Sequence, residues 1–218
     1  MTLPTPTRRQ SLRAGLASAA ALALPAVLLH PAHAQQPRSS HGARALTPAQ
    51  SEGPFYPDQA LQDADFDLLK NGNVAYGNGQ AAWVSGSVLD QTGKPVSGAV
   101  VEIWQCDHAG VYRHSRSSGN APMAFQGFGK VQVAADGRYR FRTIKPVLYP
   151  GRPPHIHYKV KLGNRELLTT QMYVAGDAAN NRDFLTRSLG AQQRSLLEAQ
   201  FTNSADGLAA EFSLVVAA

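Results

Sequence analysis

The sequence predicts an all-β protein, a β-sandwich with a short helical addition near the C-terminus. Two observations support this prediction. Short segments that alternate apolar and polar residues follow one another after Ala82 and are separated by turn signals, as in sandwiches. Helical spacing of apolar residues occurs in residues 183–201, which Gly190 interrupts. With 43% apolar and 17% charged residues among 218, the composition is that of a globular protein.

The first predicted strands are residues 83–89 and 100–105. A Thr-Gly-Lys-Pro turn at residues 92–95 separates them, and we expect the two strands to pair with each other.

The clearest hairpin signal comes from residues 129–134 and 138–144, which flank an Asp-Gly turn at residues 136–137. Alternation in the second segment places two aromatic residues and a threonine on one face and three arginines on the other. The remaining predicted strands are residues 155–162, 167–174 and 209–216.

Residues 1–34 have the features of an export leader. They contain three arginines and no acidic residue, then an apolar stretch over residues 14–29, and an Ala-His-Ala cleavage signal at residues 32–34. The arginine-containing start is similar to a twin-arginine signal. We expect a cleaved leader and a periplasmic or secreted protein. No stable membrane span is expected, because the apolar stretch is shorter than the roughly 20 residues that cross a bilayer and Pro25 interrupts it.

Residues 35–46 are polar, rich in serine and aperiodic, and we expect them to form a flexible tether. Residues 47–218 are predicted to form a single sandwich domain. Its first segment, residues 47–57, contains three prolines and two aromatic residues, which suits an extended arm packed on the body.

The charge distribution argues against a nucleic-acid partner. The formal net charge is 21 − 15 = +6, and the three arginines of the leader leave +3 for residues 35–218, where basic residues are scattered. Cys106 is the only cysteine in the sequence, which excludes an intrachain disulfide and a thiolate cluster.

The His155-Ile156-His157 segment is the first local sign of chemistry. On a strand, both imidazoles share one face with Cα atoms roughly 6.6 Å apart, so both can reach one metal ion. The alternative is a pair of histidines that make ordinary hydrogen bonds on a half-buried strand. The motif alone leaves both interpretations open.

The surrounding residues resemble the intradiol ring-cleavage dioxygenases, and most closely their protocatechuate dioxygenase branch. The resemblance covers about residues 47–216. It is carried by Gly110-Val111-Tyr112, Tyr149-Pro150-Gly151-Arg152-Pro153-Pro154, and segments 47–50, 53–56, 139–146 and 170–171. In that family two tyrosines and two histidines hold a ferric ion. The resemblance therefore implies an Fe(III) cofactor with four ligands, namely Tyr112, Tyr149, His155 and His157.

This ligand set also makes chemical sense. Tyrosine has a reference pKa near 10, so a phenolate ligand at neutral pH needs a metal ion of high charge. Two phenolates and two neutral imidazoles therefore favour Fe(III) over Zn(II) or Mg(II).

The family resemblance implies the reaction as well. A catechol-type ring is opened between its two hydroxyl-bearing carbons, both atoms of O2 are inserted, and the product is a cis,cis-muconate-type diacid. The substrate is expected to displace Tyr149 from the metal. Arg152 matches the family's active-site arginine, which stabilises negative charge on the substrate. Gln171 matches a glutamine near the site. The predicted catalytic residues are therefore Arg152, Tyr149 and Gln171.

The chain departs from the family pattern between Tyr149 and His155. Family members usually have a longer segment there and commonly a tryptophan before the arginine, whereas Gly151 precedes Arg152 here. We expect a more open pocket, with the ring substituents undetermined. Oligomerisation and a second subunit stay open.

Two other functions fit part of the sequence. One is a noncatalytic, transthyretin-like β-sandwich binding module, which the strands up to Ile103 would also fit. The two tyrosines and two histidines argue against it. The other is a copper oxygenase that binds metal through an N-terminal histidine, but cleavage after Ala34 would expose Gln35.

Overall fold

The computed structural model describes residues 42–58, 61 and 63–218. The predicted leader and the tether up to residue 41 lie outside the described residues. The described part of the tether already contacts the body, because the Arg44 N–H donates to the Gln91 carbonyl at 2.8 Å. Within the described ranges no helix is long and apolar enough to cross a membrane.

The described residues form mainly β-strands. A 3-10 helix spans Ala178–Arg182 and helix α1 spans Ala191–Ser195. The strands in chain order are β1 (Lys70–Asn71), β2 (Val74–Ala75), β3 (Ala81–Asp90), β4 (Val100–Trp104), β5 (Phe128–Gln132), β6 (Arg138–Ile144), β7 (His155–Leu162), β8 (Arg165–Val174), β9 (Glu198–Ala199), β10 (Thr202–Ser204), β11 (Gly207–Glu211) and β12 (Leu214–Val216).

Two main sheets pack face to face, which confirms the predicted β-sandwich. One sheet has the order β10-β11-β3-β12, with β6 also paired to β3, and the other has the order β5-β4-β7-β8-β9. Apolar side chains from both sheets meet in one core. Val84 and Phe141 of the first sheet, and Val101 and Tyr158 of the second, are completely buried. In β3 and β6, buried residues alternate with more exposed ones, as expected for a sheet with one buried face. In β4, β7 and β8, consecutive residues are buried, so the second sheet is covered on both faces.

Both predicted pairings between neighbouring strands are wrong. Strand β5 pairs with β4 while β6 pairs with β3, so the turn at residues 134–138 connects the two sheets. Residues 64–68 explain why β5 and β6 do not pair with each other. This segment is hydrogen-bonded to both strands, at the edges that a β5–β6 hairpin would use. The Lys130 N–H donates to Ala64 O at 2.9 Å, and the Arg142 N–H donates to Phe66 O at 2.8 Å.

Strands β3 and β4 likewise lie in opposite sheets. Alternation in sequence gives the buried face of a strand but not its hydrogen-bonded neighbour. The face prediction for β6 is accordingly correct: Tyr139, Phe141 and Thr143 are buried, and the three arginines point outward.

The helix near the C-terminus is shorter than residues 183–201, where the sequence has helical spacing. Residues 183–189 form turns, closed by the Arg187 N–H donating to Asp183 O at 3.0 Å, and α1 has only five residues. Gly190 begins this helix as its N-cap rather than interrupting a longer one.

The proline-rich arm lies along β8. The Gln50 N–H donates to Thr169 O at 2.8 Å, and the Thr170 hydroxyl donates to Pro48 O at 2.7 Å. These bonds hold residues 51–57 against the second sheet, beside the histidine pair of β7.

Candidate metal centre

The histidine pair lies on one buried face of β7. The two Nε2 atoms are 3.1 Å apart, and the residues are 2% (His155) and 3% (His157) exposed. The Nδ1 atom of His155 lies 2.7 Å from Pro153 O. Because a carbonyl oxygen only accepts, that Nδ1 carries the hydrogen and the Nε2 atom has a free electron pair.

Burial keeps both imidazoles neutral. It lowers the pKa of His155 to about 4, and lowers the pKa of His157 well below its usual value. Trp104 stacks on the His157 ring with centroids 4.8 Å apart and an interplanar angle of 6°, which fixes the ring orientation. Neutral, oriented imidazoles are the form in which histidine binds metal ions.

Tyr112 joins this pair from the loop after β4. Its hydroxyl oxygen lies 3.1 Å from His155 Nε2, and the residue is 2% exposed. The buried carboxylate of Asp107 shapes the loop, since its Oδ1 accepts from the N–H groups of Ala109 and Val111 at 2.9 Å each. Sequence reasoning gave Asp107 no role, although an Asp before an Ala-Gly turn is a recognisable loop signal.

Tyr149 lies near Tyr112 and is half-buried. Its ring centroid lies 5.4 Å from that of Tyr112, at an angle of 81°. The turn that presents it closes through the Arg152 N–H, which donates to Tyr149 O at 2.8 Å. Gly151 adopts a φ of 80°, which favours glycine.

All four predicted ligands line one cavity of about 300 Å³, which we name the inner cavity. Phe55 of the arm also lines it and stacks on Tyr112 with centroids 4.5 Å apart. Sequence reasoning did not assign Phe55 to the site. The remaining lining residues are Gly53, Pro54, Pro150, Gly151, Arg152 and Phe184.

Arg152 is fixed by a polar cluster behind the inner cavity. Its Nε donates to Asp183 Oδ1 at 2.9 Å, and its Nη2 donates to Asp183 Oδ2 at 3.2 Å. The same Nη2 lies 2.7 Å from Gln171 Oε1 and 3.2 Å from the Tyr173 hydroxyl. Asp183 and Tyr173 were missed from sequence because nothing local distinguishes them from core-facing polar residues.

Gln171 lies outside the lining of the inner cavity. It pairs with His157 in the β7–β8 register and is completely buried. Its Oε1 accepts from Arg152, and its Nε2 donates to Ser51 O at 2.9 Å. These contacts suit a residue that positions Arg152, and the predicted catalytic role of Gln171 stays a prediction.

A metal ion at this site would need the two tyrosines as ligands in addition to the two histidines. In the part of the chain that the structure describes, no three His, Cys, Asp or Glu side chains come close enough to hold a metal ion. Burial raises the pKa of Tyr112 well above its ordinary value, so this phenol stays protonated without a cation. A trivalent ion supplies the charge that reverses this preference.

Comparison with known proteins identifies the family of the chain. A family model described as "Dioxygenase" matches residues 51–218. The protocatechuate 3,4-dioxygenase beta chain of Burkholderia cepacia is 38% identical, over 75% of this chain and 76% of that one. Catechol 1,2-dioxygenase of Acinetobacter baylyi is 32% identical, over 66% of this chain, and the match spans about half (51%) of that longer protein.

A solved structure supports the same relationship. The dioxygenase domain of a dioxygenase carbohydrate-binding fusion protein from Streptomyces sp. SirexAA-E superposes with a TM-score of 0.62 at 31% identity, covering 78% of this chain and 97% of that domain. With a family match over most of its length and a relative at 38% identity, the chain belongs to the intradiol ring-cleavage dioxygenase family.

Proposed function

We propose that this protein is an Fe(III)-dependent dioxygenase that opens a catechol-type ring with both atoms of O2 and forms a cis,cis-muconate-type diacid. The proposal rests mainly on three buried donor atoms that lie in contact with one another. The Tyr112 oxygen and the His157 Nε2 each lie 3.1 Å from His155 Nε2, and Tyr149 faces the same cavity.

The donor chemistry fits iron(III). The two imidazoles are neutral, so the two phenolates supply the negative charge at the centre, and this combination suits a trivalent ion better than Zn(II) or Mg(II). Tyr112, Tyr149, His155 and His157 would hold the ion. When bound, the iron activates the catechol for direct reaction with O2, so that no external reductant is needed.

The two tyrosines differ in their freedom to move. Tyr112 is 2% exposed and is sandwiched between Phe55 and the histidine pair, which suits a permanent ligand. Tyr149 is half-buried, on a turn that lines the inner cavity. Tyr149 would therefore suit exchange for the incoming substrate, and if iron held it as a phenolate it would accept a substrate hydroxyl proton.

Arg152 supplies fixed positive charge at the wall of the inner cavity. Its bonds to Asp183, Gln171 and Tyr173 hold the guanidinium in one orientation before substrate arrives. A preorganised cation stabilises negative charge that develops on the ring without needing to reorient during the reaction. The apolar neighbours Phe55, Pro54 and Phe184 reduce the water around that charge.

The proposed reaction balances without a further reactant. The bond between the two hydroxyl-bearing carbons and the O–O bond break, and each of those carbons gains one oxygen atom. The ring supplies all the electrons that O2 accepts. Labelled O2 should therefore place one labelled atom in each carboxyl group of the product.

The test combines iron analysis with oxygen uptake on catechol and protocatechuate. We expect about one iron per chain, a visible tyrosinate absorption, and O2 consumption matched by diacid formation. A noncatalytic sandwich module would bind no stoichiometric iron and consume no O2, and that result would reject the proposal.

We also propose that residues 1–34 direct export before cleavage. The proposal is supported by the order of arginines, apolar stretch and Ala-His-Ala site in the sequence. Mass spectrometry of the protein from its native periplasm or medium should find Gln35 at the N-terminus. A mature chain that keeps Met1 would reject it.

A further inference from the structure

A second cavity adjoins the inner one at the turn that carries Tyr149. This outer cavity has a volume of about 540 Å³ and shares residues 149–152 with the inner cavity. A single benzene ring fits a cavity of roughly 150 Å³. The inner cavity, with about 300 Å³, therefore has room for a catechol ring by itself. The outer cavity is additional space that an unsubstituted catechol would not fill.

The lining of the outer cavity is apolar apart from three charged residues and Tyr149. Arg152 is bound to Asp183 through both Nε and Nη2, and it also lines the inner cavity. Arg182 is exposed at the end of the 3-10 helix, and among the described residues no side chain forms an ion pair with it. The apolar lining residues are Ala109, Leu148, Pro150, Pro153 and Ala179. The cavity thus combines an apolar wall with a cation, Arg182, that lies outside the Arg152–Asp183 pair.

Gly151 lines both cavities and is exposed. A Cβ atom built at this position meets no atom within 4 Å, so the space beside it is open. A residue with a large side chain at this position would fill part of that space.

We propose that the outer cavity is a binding site for the ring substituent of the substrate, and that it selects catechols whose apolar side chain ends in a carboxylate. Arg182 binds the carboxylate, and Gly151 admits the side chain. This inference rests on the proposed function, because the inner cavity must hold the catechol ring. The inference extends the proposed function to one class of substrate, catechols whose carboxylate is several bonds away from the ring.

The test compares dihydrocaffeate, a catechol with a propanoate side chain, with its neutral methyl ester, which has the same ring and spacer. The measured quantity is the ratio of kcat/KM for the acid to kcat/KM for the ester. Arg182→Gln should lower this ratio roughly twofold to fivefold, the loss of one exposed charged pair. Arg187→Gln is the matched control, because Arg187 is exposed nearby but does not line either cavity, and the ratio should not change.

The spacer is tested with protocatechuate, whose carboxylate is attached directly to the ring. Arg182→Gln should affect kcat/KM for protocatechuate less than that for dihydrocaffeate. An equal or larger effect on protocatechuate would overturn the proposal, because the cation would then act beside the ring.

Gly151→Asn tests whether the open space beside Gly151 admits the side chain of the substrate. Asparagine tolerates the positive φ of this turn better than other residues with side chains, and its amide would project into the open space. The ratio of kcat/KM for dihydrocaffeate to that for catechol should fall severalfold. Gly163→Asn is the control, since it has a φ of 58°, an equally open surrounding, and a place in the β7–β8 turn outside both cavities. Equal ratios in the two variants would overturn the role of Gly151.

A binding measurement separates this inference from the proposed activity. Phloretate has the same side chain but only one hydroxyl group, so it should bind without ring cleavage. Calorimetry should show weaker phloretate binding in Arg182→Gln than in Arg187→Gln. If catechol is cleaved but neither binding nor the acid-to-ester ratio depends on Arg182, the substituent site is wrong. If phloretate binding depends on Arg182 but no catechol is cleaved, the site stands and the proposed function is wrong.

Discussion

Arg152 and Asp183 form a two-point ion pair at the wall of the inner cavity, with N–O distances of 2.9 and 3.2 Å. The side chain of Asp183 is completely buried, and that of Arg152 is 13% exposed. The pair has two consequences. Asp183 fixes the plane and direction of the guanidinium, and Arg152 supplies the charge that makes the buried carboxylate tolerable.

Arg152→Ala should therefore lose both activity and stability. We expect turnover of catechol to fall by roughly two to three powers of ten, as when one preorganised electrostatic stabiliser is removed. The free energy of unfolding should fall by about 3–5 kcal/mol, because a buried carboxylate loses its partner. The double variant Arg152→Ala/Asp183→Asn should regain much of the stability but not the turnover. Urea denaturation and oxygen uptake measure the two effects, and a fully stable single variant would contradict the coupling.

Replacing either histidine of β7 should remove the metal. His155→Ala or His157→Ala is expected to lose most of the bound iron, since each deletes one of the donor atoms that meet at 3.1 Å. Iron per chain is measured in the purified variants. His108→Gln is the control, because His108 contacts Tyr76 and does not line the inner cavity. If the double variant His155→Ala/His157→Ala kept its full iron content, the histidine pair would be structural and would not bind the metal.

The two tyrosines should give different spectra when replaced. Tyr149→Phe should retain iron through the other three ligands, bind catechol abnormally and turn over slowly. Tyr112→Phe should change the tyrosinate absorption both in the resting protein and in the substrate complex, because this buried residue stays bound throughout. If the two substrate complexes lose the same amount of absorption relative to wild type, the proposed division of roles is wrong.

Gly86 should not tolerate a side chain. It lies in β3, and a Cβ atom built there would come within 2.0 Å of the Phe212 carbonyl oxygen and 2.9 Å of the Tyr139 hydroxyl. Gly86→Ala is expected to lower the free energy of unfolding by at least the roughly 1–3 kcal/mol of an overpacked core. Gly77→Ala is the control, since its Cβ would meet nothing within 4 Å. Thermal denaturation of both variants checks the difference.

Cys106 should be unreactive in the folded protein. The residue is 1% exposed, and burial raises the pKa of its thiol to about 12, so almost no thiolate is present at neutral pH. Iodoacetamide should label it only after denaturation. Rapid labelling of the native protein at pH 7, with activity intact, would contradict this burial.

Local sequence patterns determined much of this protein. Period-two alternation identified the longer strands and the buried face of β6, and β7 runs from His155 to Leu162, the range predicted for it. The single strand predicted at residues 209–216 is wrong, since the structure has two strands there, β11 and β12. A strand with two histidines two residues apart places both rings on one face whatever surrounds it. The family resemblance supplied the two tyrosines, whose positions no local pattern connects to the histidines. Family membership could thus be recognised before any coordinates.

Only the tertiary structure decided which strands pair and what surrounds the site. The turn at residues 134–138 looks like a hairpin, but segment 64–68 contacts both of its strands and separates them into two sheets. Asp183 reaches Arg152 from 31 residues away in the chain, and Phe55 reaches Tyr112 from the arm. Pairing and long-range contact depend on competition among all exposed strand edges and apolar faces, and this competition is settled only when the whole chain packs. A strand's own sequence carries its periodicity but not the identity of its neighbours.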